Sequence, residues 1–145
     1  MKTYNLIPQE KDNFCICSCL QAIFDKYNIK ISQKEISKNL NPSKNGFYVD
    51  DDKIKKFLIK NKFEYFYYAY NATPFNEPDM LLNEMNENEG FIGINSHIYL
   101  LTEFKEPLLN LINPLDNKPL IKNIYNTINE MQEKYGFFGL VKKLN

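Results

Sequence analysis

The hydrophobic period of this chain changes once, and that change limits its possible folds more than any other feature. Up to Asn61, apolar side chains recur at three- and four-residue spacing. Beyond it they collect in short β-rich runs divided by turn residues. Leu20, Ile23, Phe24 and Tyr27 share one face of a helix predicted over residues 14–27, with Asp12 or Asn13 placed to cap it. Ser32-Gln33-Lys34-Glu35 is a capping box opening a second helix that stops near Asn39, before a loop from Asn41 to Gly46. Asp50 caps a third helix, Asp51 to Asn61, carrying Ile54, Phe57 and Leu58.

The later part reads as strands broken by two helices. Phe63 to Tyr70 is an aromatic strand, and Glu77 to Asn86 a helix with Pro78 in its first turn. Gly90 to Asn95, His97 to Phe104 and Leu108 to Asn113 are strands joined by turns around Ser96 and Lys105-Glu106-Pro107. Ile121 to Lys134 reads as a helix whose start Pro119 holds back; Gly136 ends it, and Phe137 to Lys143 is a last strand. Helices first, then mostly antiparallel strands on short turns, give an α+β fold: one domain over residues 1–145, its N-terminal helices packed on a sheet.

Charge and cysteine content exclude several function classes. Eighteen basic and eighteen acidic side chains cancel, so no global field favours nucleic acid or a membrane surface. No signal peptide and no membrane-spanning run is expected. Cys15, Cys17 and Cys19 crowd into five positions, too close and too divergent on a helix to bridge one another, so reduced thiols and a cytoplasmic setting are expected. A zinc set of these three with His97 fits the usual ligand spacing poorly, and no metal or other cofactor is expected. Capping explains Asp50-Asp51-Asp52 better than calcium does, and strand packing explains the aromatic run better than base stacking.

The residues that carry chemistry are few. Cys15 lies in the first turn of its helix, where unpaired N–H groups and the helix dipole favour a thiolate. His97, the single histidine, opens an apolar strand and can accept the thiol proton. Asn113 ends the next strand and can orient the imidazole, with Asp116 nearby as an alternative. Gln9 precedes Cys15 by six positions, close enough to fold back and join the Cys15 N–H as an oxyanion donor. Loss of one such donor typically costs roughly 3 kcal/mol of barrier. Taken singly, each has a blander reading: a packed core thiol, a satisfied core histidine, two surface amides. Cys17 and Cys19 read as structural.

Together these residues resemble the papain-like, double-glycine-leader (bacteriocin-processing) peptidases, and more distantly papain. Those domains carry Gln-x5-Cys followed by small-x-Leu, here Gln9-x5-Cys15 and Ser18-Cys19-Leu20. They also carry a His opening an apolar strand and an Asp-Pro after the next strand, here His97-Ile98-Tyr99-Leu100-Leu101-Thr102 and Asn113-Pro114. The resemblance implies a papain-like fold and a bacterial cysteine peptidase. Cys15 would be nucleophile, His97 base, Asn113 orienter and Gln9 oxyanion donor, with a peptide or leader held in an extended cleft and small residues before the scissile bond. Two positions depart from the pattern: Ile16 replaces a glycine after the nucleophile, and Asn113 replaces an aspartate, which is papain's own choice. The same Cys–His pair would serve acyl transfer or side-chain amide hydrolysis, and an inert binding or immunity-type module on this fold is the competing reading.

Overall fold

A computed structural model of the protein describes residues 1–43, 50–69, 71 and 78–145. Its elements run α1 (Cys15–Lys26), α2 (Gln33–Leu40), α3 (Asp51–Lys60), β1 (Phe63–Ala69), α4 (Asp79–Glu87), β2 (Glu89–Ile94), β3 (His97–Lys105), β4 (Leu108–Asn113), β5 (Lys118–Asn123), α5 (Ile124–Glu133) and β6 (Phe137–Lys143). The six strands form one sheet in the order β1-β6-β2-β3-β4-β5. Every pairing is antiparallel, and the C-terminal strand is inserted between β1 and β2.

The pleat divides the core in two. Along β2, Phe91 points to the α1 side while Ile92 and Ile94 point to the other; along β6, Val141 faces α1 while Phe138 and Leu140 face away. One face is covered by α1, α2 and α3, the other by α4 and α5. The α1 face is aromatic at its centre, where the Phe24 ring stacks on Phe63 at 4.9 Å and on Phe57 at 5.5 Å. Burying each such ring contributes roughly 1.5–3 kcal/mol. Because both faces are covered, β2 is buried along its whole length.

Among the described residues, Glu89 is the charged side chain buried in this core. The Glu89 carboxylate, 1% exposed, accepts hydrogen bonds from the Tyr4 and Tyr27 hydroxyls and from Lys26 Nζ at 2.8 and 3.0 Å. The cluster ties the N-terminal segment and the end of α1 to the start of β2.

Most expected boundaries hold within a residue or two, and the Ser32 and Asp50 caps form as read, accepting from the Glu35 and Asp52 N–H groups. Three details differ. Neither Asp12 nor Asn13 caps α1; its N-cap is Phe14, whose side chain makes no capping bond. Residues 121–123 belong to β5 rather than to a helix, because this segment pairs with β4 and Asn123 caps α5 through the N–H groups of Tyr125 and Asn126. At the end of α5 it is Tyr135 that takes the positive φ of 54°. Gly136 is required instead by close approach, since a Cβ there would lie 2.7 Å from the Gly93 carbonyl oxygen. Lys44 to Gly46 of the expected loop, Tyr70 of the expected strand and Glu77 of the expected helix lie outside the described residues.

Candidate active site

The site forms where the first turn of α1 meets the β2–β3 hairpin. Since Phe14 offers no side-chain cap, the N–H groups of the first turn are turned to other use. Those of Cys15 and Ile16 bear on the Cys15 sulfur, and so does the backbone of Ile98. Ile98 directly follows His97, so this contact fixes the thiol beside the start of β3. Cys15 is 1% exposed. Burial pushes its pKa up, and the Ile98, Ile16 and Cys15 backbone groups pull it only partly back. The dipole alone had suggested a lowered thiol; desolvation outweighs it. Burial likewise pushes Cys17 up to about 12 and Cys19 well above its ordinary value, as inert core thiols require.

His97 is oriented from the neighbouring strand. Its Nε2 lies 2.8 Å from Asn113 Oδ1, which also accepts the Leu115 N–H at 3.0 Å. The backbone donor decides which way the amide lies: the oxygen must face both groups, so Nε2 carries the proton and Nδ1 keeps its lone pair. Tyr99, two residues along the same strand, sets its ring edge-on to the imidazole at 4.7 Å and 85°. Asp116 is not the orienter. Its carboxylate accepts the Lys118 N–H at 3.0 Å and closes the β4–β5 turn.

Gln9 is tied to this corner through its backbone, which donates to the Pro114 carbonyl at 2.7 Å, one residue beyond Asn113. Its side-chain nitrogen donates to the Lys11 and Asp12 carbonyls, each at 3.1 Å, while Oε1 is buried with no hydrogen-bond partner. The resting amide spends both of its N–H groups on its own loop, and a turn about its side-chain torsions frees them.

A cleft of about 600 Å³ opens against His97 and Ile98. Tyr67, Phe137 and Tyr135 line it, and the Phe137 ring lies over Gly93, where a Cβ would meet it at 2.1 Å. Asp50, Asp51 and Asp52 at the start of α3 and Lys134 also line it. Asp51 is pushed up to about 6, chiefly by burial. Ile16, which stands where the resembled family carries a glycine, is fully buried in the α1-side core and does not line the cleft.

Sequence reasoning missed the Ile98 backbone contact, the Tyr99 ring and the Phe137–Gly93 wall. A backbone donor has no sequence signature. Tyr99 could have been found from its same-face spacing to His97. Among the described residues, no group of three or more His, Cys, Asp or Glu is gathered to hold a metal ion, and no helix is long and apolar enough to cross a membrane.

No family model matches this chain, and no curated protein matches it by sequence. Solved structures do. A double glycine motif protease from an AMS/PCAT transporter, in complex with the leader peptide, superposes with a TM-score of 0.71; the match is 17% identical and covers 97% of this chain and 92% of that one. The peptidase domain of Streptococcus ComA, a bi-functional ABC transporter involved in a quorum sensing pathway, gives 0.69 at 16% identity, covering 97% and 99%. At such identities the likeness shows the fold. The chain is α+β and papain-like, with the architecture of double-glycine peptidase domains.

Proposed function

We propose that residues 1–145 act as one cysteine peptidase domain, cleaving a peptide bond through a thioester on Cys15. The observation that carries this reading is the Asn113–His97 hydrogen bond, which leaves Nδ1 basic on a strand whose next residue contacts the sulfur. The cleft of about 600 Å³ against His97 supports a peptide substrate, as does the leader peptide held by the similar protease from an AMS/PCAT transporter. Small residues before the scissile bond suit the narrow wall at Gly93 and Phe137.

With the thiol raised by burial, a standing thiolate–imidazolium pair is not needed. Nδ1 takes the thiol proton as sulfur attacks the carbonyl carbon, and Asn113 holds the resulting imidazolium. The Cys15 N–H and the Gln9 amide, turned from Lys11 and Asp12, receive the oxyanion. The imidazolium then protonates the departing amine as the C–N bond breaks. Water, deprotonated by Nδ1, hydrolyses the thioester. Reduced thiols suit this chemistry and fit a cytoplasmic setting.

The deep burial of Cys15 favours one other reading, an inert binding module on the same fold. Incubation with extended peptides bearing small-residue pairs, followed by mass spectrometry, separates them. The peptidase yields fragments that vanish in Cys15→Ala, by about 10⁴-fold or more. The inert module yields none, and its Cys15 alkylates no faster than free cysteine. Transfer to an added amine in place of hydrolysis would mark an acyltransferase, and ammonia release from glutamine side chains an amidase.

A further inference from the structure

We infer that Gln33 is a positioning residue that holds the backbone on both sides of Gln9, so that only the Gln9 side chain moves when the oxyanion forms. This rests on the reading of Gln9 as an oxyanion donor.

Gln33 is the first residue of α2 and is fully buried, one of few polar side chains so placed among the described residues. Three of its hydrogen bonds land on the segment that carries Gln9. Oε1 accepts the Glu10 N–H at 2.9 Å, and Nε2 donates to the Ile7 carbonyl at 3.0 Å and the Pro8 carbonyl at 3.1 Å. The residues before and after Gln9 are thus gripped by one amide. Gln21 braces that amide in turn: its Oε1 lies 3.0 Å from Gln33 Nε2, whose two N–H groups are shared among these three acceptors, and its own nitrogen donates to the Ile31 carbonyl at 3.1 Å. Ser18, buried in α1, adds its hydroxyl to the Ile7 carbonyl at 2.6 Å. The Gln9 N–H is bound to Pro114.

A primary amide is the side chain this place demands. It must accept from one N–H and donate to two carbonyls from a single buried end. Glutamate would set its oxygens against the Ile7 and Pro8 carbonyls, asparagine is one methylene short, and an apolar residue would take this partner from the Pro8 carbonyl and the Glu10 N–H and leave the Ile7 carbonyl only the Ser18 hydroxyl. The contrast with Gln9 is informative. The backbone around Gln9 is over-determined, while its own Oε1 is left unpaired. A fixed loop bearing one amide whose donors rest on that same loop is what a donor that turns toward a developing charge requires.

The test is a double-mutant cycle on Cys15-dependent peptide cleavage, using Gln9→Ala, Gln33→Met and the pair. Gln33→Met keeps length and apolar stem while removing the amide. Gln9→Ala is expected to lower kcat about 10²–10³-fold. Gln33→Met is expected to lower kcat at least tenfold with KM changed less than twofold, and to add nothing in the Gln9→Ala background. Multiplying effects, or a loss confined to KM, would overturn the role of Gln33 while leaving Gln9 standing. A silent Gln9→Ala would overturn the donor reading itself. Should Gln33→Met fail to fold, Gln21→Met loosens the same amide from one step away and must show the same non-additivity with Gln9→Ala. Hydrogen exchange gives a readout independent of turnover: the Glu10 N–H loses protection in Gln33→Met while the α1 amides keep theirs. Retained protection at Glu10 contradicts the inference.

Discussion

At the Lys26 end of α1 a buried carboxylate has both oxygens paired; at the Cys15 end of the same 12-residue helix, the nearby Gln9 Oε1 is buried with nothing to bind. The Glu89 cluster is a saturated network: two tyrosine hydroxyls and one ammonium meet one carboxylate. Such a network holds elements in place and has no capacity for a further partner. The Cys15 end has no side-chain cap, a thiol that desolvation keeps protonated, and an amide turned onto its own loop. The same fold thus spends its polar groups on stability at one end of α1 and holds them in reserve for reaction at the other.

Glu89→Ala puts the largest strain on this contrast. Removing one partner from a buried charged network typically costs about 3–5 kcal/mol, so urea unfolding should lose stability in that range while kcat per folded molecule is kept. Falling turnover at unchanged stability would mean that the two ends are not separable. Asn113→Ala should do the reverse. It frees the His97 ring to turn, and kcat should fall about 10²-fold with the urea midpoint nearly unmoved; an unchanged kcat would remove Asn113 from the site.

The smallest effect is in pH. Burial first, and then Glu89, hold the Tyr4 and Tyr27 hydroxyls above their ordinary value of 10.0. A group raised in the folded state contributes stability that is whole below its unfolded pKa and lost as pH climbs toward the folded one. Urea midpoints should therefore decline above about pH 10, and the decline should be shallower in Glu89→Ala. An equal slope in both proteins would show that the cluster is not its source.

Strands β1 to β4 and β6 and the caps of α2 and α3 were legible because local chemistry dictates them. β4 and β6 lie between turn residues, and Ser32 and Asp50 sit directly before apolar helical faces. Gln9, Cys15, His97 and Asn113 stood out through their spacing and order, and their segments are joined by the Gln9 N–H to Pro114, the Ile98 backbone to the Cys15 sulfur and His97 to Asn113. What escaped was set by partners distant in sequence. β5 exists because β4 pairs with it, against the helical look of residues 121–123. The raised thiol follows from burial by the α1-side core, which no local pattern reports. Glu89 and Gln33 carry no local signal for these roles, because their partners lie up to 85 and 26 positions away.

The claim that His97 draws the proton from Cys15 is tested most directly by trapping the sulfur. The protein and its His97→Ala variant are treated with a peptidyl vinyl sulfone, and the adduct is mapped by mass spectrometry. A single adduct on Cys15, formed at least a hundredfold faster with His97 present, is the predicted result. Labelling at equal rates in both proteins, or on Cys17 or Cys19 instead, would contradict it.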